Sequence, residues 1–235
     1  MCGICSIENS DPAINLFTDA EYDQVINGIF AGTINVQNLD VNTYRKIAKK
    51  LTEGVFQGYK KSFSDVLYNS PDYTMLRDLR ENVYIFSGAK TYQQTRQVSA
   101  LLTTKDAITS FKDFKDKAYR ILTEYNENYL RTEYNSSIAQ AQTASQWKEI
   151  QELKEDLPML TYHTVQDGRV RPTHRELDGI SRPVDDKFWS LYMPPNGWNC
   201  RCTVLQGTSD VEKTNLRGFK NPKDVPDIFL FNAGK

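Results

Sequence analysis

The chain has no long hydrophobic run, because no apolar stretch in its 235 residues approaches the roughly 20 residues that cross a bilayer. It also has no excess of charge, since 29 basic residues are matched by 30 acidic ones and the formal net charge is −1. The N-terminus lacks the basic and apolar regions of a signal peptide. We therefore expect a chain that begins in a cytoplasm, has no membrane partner, and contacts DNA only weakly or locally.

Histidine and cysteine are scarce, with two and four residues respectively. The cysteines form two pairs, Cys2-x-x-Cys5 and Cys200-x-Cys202, which are too few to staple a fold of this size with disulfides. In a reducing compartment such pairs indicate free thiols or metal ligands. The sequence also lacks a phosphate-binding glycine loop, a nucleophile elbow and an HExxH zinc motif, so it offers no common catalytic signature.

Helical periodicity dominates the first two thirds of the chain. Thr18 and Glu21 form a capping-box pattern before an amphipathic stretch that stops at Gly32. Apolar residues at steps of three and four predict further helices over 42–66, 71–87, 89–102 and 111–157. The helix over 71–87 begins at Pro71 and ends at a break at Ser87-Gly88. The last is the longest and stops before Pro158.

The composition changes after Pro158, where proline, glycine and β-forming residues become frequent. Strands are predicted over 159–165 and 200–205, with a hairpin-type turn at Asp167-Gly168 and a short helical turn over 174–177. The predicted fold class is α+β, with a mainly α-helical first two thirds and then a small mixed module with a few antiparallel strands. The predicted divisions are a helical region 1–109, a long connecting helix 110–157, the module 158–218 and an irregular tail 219–235.

Cys200 and Cys202 are the first candidates for site chemistry. Thiolates bind zinc well, and a Cys-x-Cys spacing can place both sulfurs on one side of the backbone. A tetrahedral zinc site needs two more ligands, for which His174 is the first candidate, His163 the second, and the Cys2/Cys5 pair a remote alternative. The competing interpretation is that the two cysteines are small core residues of a half-buried strand.

His174 lies among charged residues in the sequence RVRPTHRELDG, which also suggests acid/base chemistry. In that interpretation His174 pairs with Asp178 or Asp167, and Arg171 completes a small metal- or histidine-dependent hydrolase such as a nuclease. In the competing interpretation, Pro172 starts a short helix, the charges form a solvated network, and the histidine orients a loop by hydrogen bonds. The sequence leaves both open.

An ordered set of residues also resembles a known family. The set comprises Arg131-Thr132-Glu133, Asp167, Arg169, Arg171, His174, Leu177-Asp178-Gly179, Pro183, Asp185-Asp186, Trp189 and the run from Pro194 to Cys202, PPNGWNCRC. In its order and spacing, this set resembles the phage Mu protein F family, the minor head or head morphogenesis proteins of tailed phages and prophages. The resemblance covers about residues 110–207, while residues 1–109 match only in being helical.

The resemblance implies a minor head protein of the virion head that is made in the host cytoplasm during assembly. Its implied partners are the portal protein and other head proteins, and its implied role is to assist DNA packaging or ejection. A helical face around Tyr125 and Tyr129 would then be the docking surface. The resemblance favours a scaffold role over catalysis. A third candidate function, intermediate between these two, is that of a zinc-stabilised binding module.

Overall fold

The computed structural model describes residues 14–103, 109–217, 219 and 225–235. The fold is α+β, as the sequence predicts: long helices come first and a small antiparallel sheet follows. The helices are α1 Asp19–Phe30, α2 Val41–Tyr59, α3 Pro71–Ser99, α4 Phe111–Thr123, α5 Leu130–Glu152, α6 Pro172–Arg175 and α7 Phe188–Tyr192. The strands are β1 Met159–His163, β2 Ser181–Pro183 and β3 Thr203–Gly207. No helix in the described ranges has both the length and the apolar character needed to span a bilayer.

The described residues form two compact units. The first, called the helical unit here, comprises the described parts of Ser10–Glu53 and Arg80–Tyr134. The second, called the C-terminal unit, comprises Gly54–Leu79 and the described parts of Asn135–Lys235. The four divisions predicted from the sequence remain a prediction, although the predicted change at Pro158 coincides with the start of the sheet at Met159.

The helical unit is built on apolar faces. The capping box predicted at the start of α1 is present, because the Thr18 hydroxyl accepts from the Glu21 amide and the Glu21 carboxylate accepts from the Thr18 amide. Helix α4 starts at the predicted position, where the Ser110 hydroxyl accepts from the Asp113 amide. The apolar faces of α1 and α4 meet in a core that also includes Val98; its fully or nearly fully buried members are Tyr22, Val25, Ile26, Ile29, Val98, Phe114, Ala118 and Leu122.

The break predicted at Ser87-Gly88 is wrong, because α3 continues through both residues to Ser99. Ser87 is fully buried, and its hydroxyl donates to the Val83 carbonyl at 2.7 Å, so its polar group is satisfied within the helix. Thr91 repeats the pattern by donating to the Ser87 carbonyl at 2.8 Å. The Ser87 side chain, which had favoured a turn, is therefore compatible with a continuous helix.

The long helix predicted after Ser110 is present with an internal irregularity. A π-helical segment, Glu124–Tyr129, lies between α4 and α5. Such segments widen the helix by one residue and occur often at functional positions. The second predicted helix is shorter than expected, since α2 ends at Tyr59 and Lys60 has a left-handed φ of 59°.

The sheet of the C-terminal unit has the order β2-β1-β3, and both pairings are antiparallel. The central strand β1 pairs Thr161 with Ser181 on one side and Tyr162 with Val204 on the other. The turn predicted at Asp167-Gly168 is present, since the Val170 amide donates to the Asp167 carbonyl at 3.2 Å. It does not join two hairpin strands, because the connection from β1 to β2 is a long loop that carries α6. That loop and the approach to β3 hold the candidate site.

Candidate metal centre

His174 reaches the interior of the C-terminal unit from the short helix α6. Pro172 occupies the first turn, where its fixed φ and missing N–H are tolerated. Gly179, with a φ of +77°, follows the helical turn, and its amide donates to the Tyr162 carbonyl at 2.9 Å. The loop therefore closes against β1 and leaves the His174 side chain only 3% exposed.

Cys200 and Cys202 lie immediately before β3. The predicted strand over 200–205 starts later than expected, at Thr203, because Asn199 adopts a left-handed φ of 52° and turns the chain. Both cysteines are free and buried. Both sulfurs nevertheless face His174, as the Cys-x-Cys spacing allows.

The three side chains form a cluster whose spacing fits a metal ion. The His174 Nδ1 atom lies 3.7 Å from the Cys200 sulfur and 3.5 Å from the Cys202 sulfur. Zinc–sulfur bonds of ~2.3 Å and zinc–nitrogen bonds of ~2.05 Å at a tetrahedral angle place nitrogen and sulfur about 3.6 Å apart. The distances therefore match a tetrahedral site, and they equally allow S–H···N hydrogen bonds in a metal-free cluster.

This cluster is the one group of three or more His, Cys, Asp or Glu side chains in the described residues that could hold a metal ion. It supplies three ligand atoms within 4.8 Å of one another. A tetrahedral zinc ion would take a fourth ligand in addition. Among the metal ions common in cells, zinc is one that prefers thiolate and imidazole ligands.

The two thiols have opposite electrostatic tendencies. A hydrogen bond from the Cys202 thiol lowers the pKa of Cys200. The same hydrogen bond to Cys200, together with burial, raises the pKa of Cys202. A metal ion would supply the positive charge that favours two thiolates at this site.

An ion pair ties together the two segments that carry the ligands. Arg201, which stands between the two cysteines, makes a bidentate contact with Asp167, at 2.7 and 2.8 Å. Asp167 precedes His174 in the β1–α6 loop, and the Arg201 guanidinium lowers the pKa of its carboxyl. On the other side, the Thr143 hydroxyl donates to the Pro194 carbonyl at 2.7 Å. Both contacts restrain the loops around the cluster.

Comparisons with known proteins bear on the same region. The family model described as "Phage Mu protein F like protein" matches residues 88–205, which is half of the chain and includes all three cluster residues. The chain belongs to this phage Mu F-like family. It is 40% identical over 75 residues to "Putative capsid assembly protein F" of Escherichia phage Mu. That match covers 32% of this chain and 17% of the Mu protein. No solved structure matches the chain significantly.

Other sequence candidates in the Mu F-like region do not belong to this group of ligand atoms. His163, the second candidate ligand, is exposed at the end of β1. Asp178 accepts from the Thr164 amide at 2.7 Å and from Gln166 at 3.1 Å, so it holds the β1–α6 loop. Arg171 donates to the Trp198 carbonyl at 2.7 Å.

The proposed pairing of His174 with Asp178 and Arg171 as a catalytic set stays a prediction. Cys2 and Cys5, the remote alternative ligands, lie outside the described residues. The first candidate from the sequence, His174, is the histidine that the structure places beside the two cysteines.

Sequence reasoning missed two residues beside the cluster. Tyr162 and Asn196 are both fully buried, and the Tyr162 hydroxyl donates to the Asn196 side-chain oxygen at 2.9 Å. The Asn196 backbone carbonyl lies 3.2 Å from the His174 Nε2 atom. Neither residue carries a signal in the sequence, because the burial that makes an amide require partners depends on tertiary packing.

Proposed function

We propose that the chain is a minor head protein that acts in phage head morphogenesis, associates with the portal protein and assists DNA packaging or ejection. The observation that carries this proposal is the family match over residues 88–205. A relative named as a capsid assembly protein supports it. The protein would act at the virion head and assemble in the host cytoplasm with other head proteins.

The charge and surface of the chain support a protein partner over DNA. The formal net charge of −1 provides no broad basic surface for a phosphate backbone. In the helical unit, Tyr129 is 47% exposed and its ring contacts the Tyr125 ring at a centroid distance of 5.4 Å. Exposed tyrosines are frequent in protein interfaces because they bury a large area with little loss of side-chain entropy. Tyr129 is therefore the first candidate contact.

Co-purification with the portal protein of the same phage tests this function. The two proteins are co-expressed, and the complex is captured through a tag on the portal. We expect the wild-type chain to co-purify and Tyr129→Ala to weaken binding at least tenfold. Tyr68→Ala is the matched control, because Tyr68 is 76% exposed but lies in the C-terminal unit.

Failure of the wild-type chain to associate with the portal would contradict the proposed function. Association that is equally strong for Tyr129→Ala would contradict the proposed docking face and leave the portal partner in place.

We also propose that His174, Cys200 and Cys202 bind one zinc ion. Their spacing, their burial and the two soft thiol donors support this assignment. The ion would act as a structural staple that joins the β1–α6 loop to the start of β3. Because ligand deprotonation and folding are coupled to binding, such an ion stabilises the fold directly.

Elemental mass spectrometry of protein purified without chelator tests the metal. We expect about one zinc per chain in the wild type and little in His174→Ala. The chain offers a matched control in His163→Ala, which removes the exposed histidine of β1 and should retain the metal. A wild-type protein without metal, or equal loss in both variants, would contradict the assignment.

A further inference from the structure

The two ring nitrogens of His174 face different partners. Nδ1 points to the two cysteine sulfurs, whereas Nε2 lies 3.2 Å from the backbone carbonyl of Asn196. A carbonyl oxygen only accepts hydrogen bonds, so this contact requires a proton on Nε2. The neutral ring then presents the lone pair of Nδ1 to the sulfurs, which is the form that binds a metal.

The Asn196 carbonyl is held in place by its own side chain. Asn196 is fully buried, and its side-chain nitrogen donates to the Met193 carbonyl at 3.4 Å. Its side-chain oxygen accepts from the Tyr162 hydroxyl at 2.9 Å. Since both polar atoms of the Asn196 side chain are held, the Asn196 backbone carbonyl, which accepts the hydrogen bond from His174 Nε2, is also held in place.

Tyr162 connects this arrangement to the central strand. It lies in β1, where it pairs with Val204 of β3, and its side chain is fully buried. Its hydroxyl is the donor to the Asn196 side-chain oxygen, so the position of Asn196 is tied to that of β1.

We propose that Tyr162 and Asn196 are positioning residues for the metal centre, which hold His174 in the Nε2–H form before the metal binds. This inference rests on the proposed zinc site. Metal-ligating histidines commonly donate their second N–H to a carbonyl or carboxylate, and the loss of such an outer partner weakens metal affinity about 10- to 100-fold. Here the outer partner is a backbone carbonyl, and Tyr162 acts on it through the Asn196 side chain.

Metal affinity tests the inference through a pair of tyrosine variants. Tyr162→Phe removes the hydroxyl and keeps the ring, so the core remains filled. Tyr192→Phe removes a hydroxyl from another buried tyrosine of the same core and is the control. Affinities for Co²⁺ and Zn²⁺ are measured by competition with a chelator of known affinity. We expect Tyr162→Phe to bind about 10- to 100-fold more weakly and Tyr192→Phe to match the wild type.

The Co²⁺ absorption spectrum adds a readout that a general loss of stability would not change. We expect the visible bands to shift in Tyr162→Phe, because the His174 ring is no longer held in one orientation. If the wild type binds no metal, the zinc proposal fails. If it binds and Tyr162→Phe retains both affinity and spectrum, the zinc site stands and the positioning role is overturned.

Nitrogen-15 NMR of the histidine rings in the metal-free wild type decides the tautomer directly. The chain contains only His163 and His174, so His163→Ala assigns the spectrum. We expect the Nε2–H form for His174 in the absence of metal. An Nδ1–H ring would overturn the inference, even if Tyr162→Phe proved too unstable to study.

Discussion

The helical unit and the C-terminal unit achieve stability in different ways. The helical unit packs apolar side chains at helical spacing, so that its stability is spread over many similar contacts of α1, α3 and α4. In the C-terminal unit the strands have three to five residues, and polar contacts between distant segments restrain the loops. Short elements provide little cooperative stability on their own. The C-terminal unit also has an apolar core, which includes Trp147, Leu160 and Trp189, so the difference between the units lies in the polar contacts and the His174, Cys200 and Cys202 cluster that hold its loops.

The two units also bury different polar groups. The helical unit encloses an ion pair, in which Lys90 Nζ lies 2.8 and 2.7 Å from the two Glu133 oxygens. Burial lowers the pKa of Lys90 and raises that of Glu133, while each charge partly offsets the shift of the other. Lys90 also donates to the Tyr125 carbonyl in the π-helical segment. The C-terminal unit instead encloses the His174, Cys200 and Cys202 cluster, which a metal ion can complete.

The largest expected effect is the loss of a cysteine ligand. Cys200→Ser should destabilise the C-terminal unit by at least about 4 kcal/mol in the metal-bound protein, because the binding energy of a structural metal is folding energy. Thermal unfolding followed by circular dichroism measures it. The buried, volume-conserving control Met193→Leu should cost less than about 1.5 kcal/mol. Equal effects of the two substitutions would remove the basis for a metal staple.

The buried ion pair should give the next largest effect, and in the helical unit. Glu133→Ala leaves the Lys90 ammonium buried without its counter-ion, which should cost about 3 to 5 kcal/mol. The double variant Lys90→Met/Glu133→Leu removes both charges and should recover most of that loss. Urea denaturation of the single and double variants measures the difference. A double variant as unstable as Glu133→Ala would show that the charge itself is not the cause.

A smaller effect is expected at Asp72, which joins three segments of the C-terminal unit. Its carboxylate accepts from Lys148 at 2.8 Å, from Lys61 at 2.7 Å and from the Tyr59 hydroxyl at 3.0 Å. Asp72→Asn should cost about 2 kcal/mol. Asp185→Asn, at an exposed carboxylate 3.3 Å from Lys154, should cost less than about 0.5 kcal/mol.

The Asp72 contribution should depend on pH. Hydrogen bonds from Lys148 and Lys61 lower the pKa of this carboxyl below its ordinary value of 3.8. Since the folded-state pKa is depressed, the stabilisation is present above the unfolded pKa and is lost as the pH falls below it. Urea denaturation at several pH values should therefore show the wild type and Asp72→Asn converging in acid. A difference that did not change with pH would contradict this origin.

The smallest effect is expected at Glu21 in the helical unit. Its hydrogen bond with Lys46 and its capping-box bond with the Thr18 amide lower its pKa from 4.5 to about 2. Glu21→Gln keeps a capping side chain but loses the charge, and should cost about 1 kcal/mol. The cost should disappear as the pH falls from 4.5 towards 2. Glu53→Gln, in an exposed pair with Lys50, is the control and should have little effect at any pH.

The two units also differ in what the sequence could predict. Caps and apolar periodicity are local signals, so Thr18, Pro71 and Ser110 were sufficient to place three helix starts. The helix break predicted at Ser87-Gly88 was wrong because the buried Ser87 and Thr91 hydroxyls donate to carbonyls of their own helix. Whether such side chains are buried depends on tertiary packing. The π-helical segment has no local signature of comparable strength.

In the C-terminal unit, the chemical character of the side chains predicted the candidate ligands, whereas their spacing along the sequence predicted little of the loop structure. Cys200, Cys202 and His174 were recognisable as candidate ligands, since few other side chains offer soft donors. The roles of Tyr162 and Asn196 were not predictable, because their contact joins residues 34 positions apart. Such contacts follow from the register of β1 and the path of the loop before β3, which no local pattern encodes.

Hydrogen exchange with and without a chelator tests the central contrast between the two units most directly. After metal removal, we expect amide protection to fall in β1, β3 and α6, and to remain unchanged in α1 and α4. Elemental analysis of the same sample establishes that the metal has left. Unchanged protection of β1 and β3 in metal-free protein, or an equal loss of protection in α1 and α4, would contradict the account.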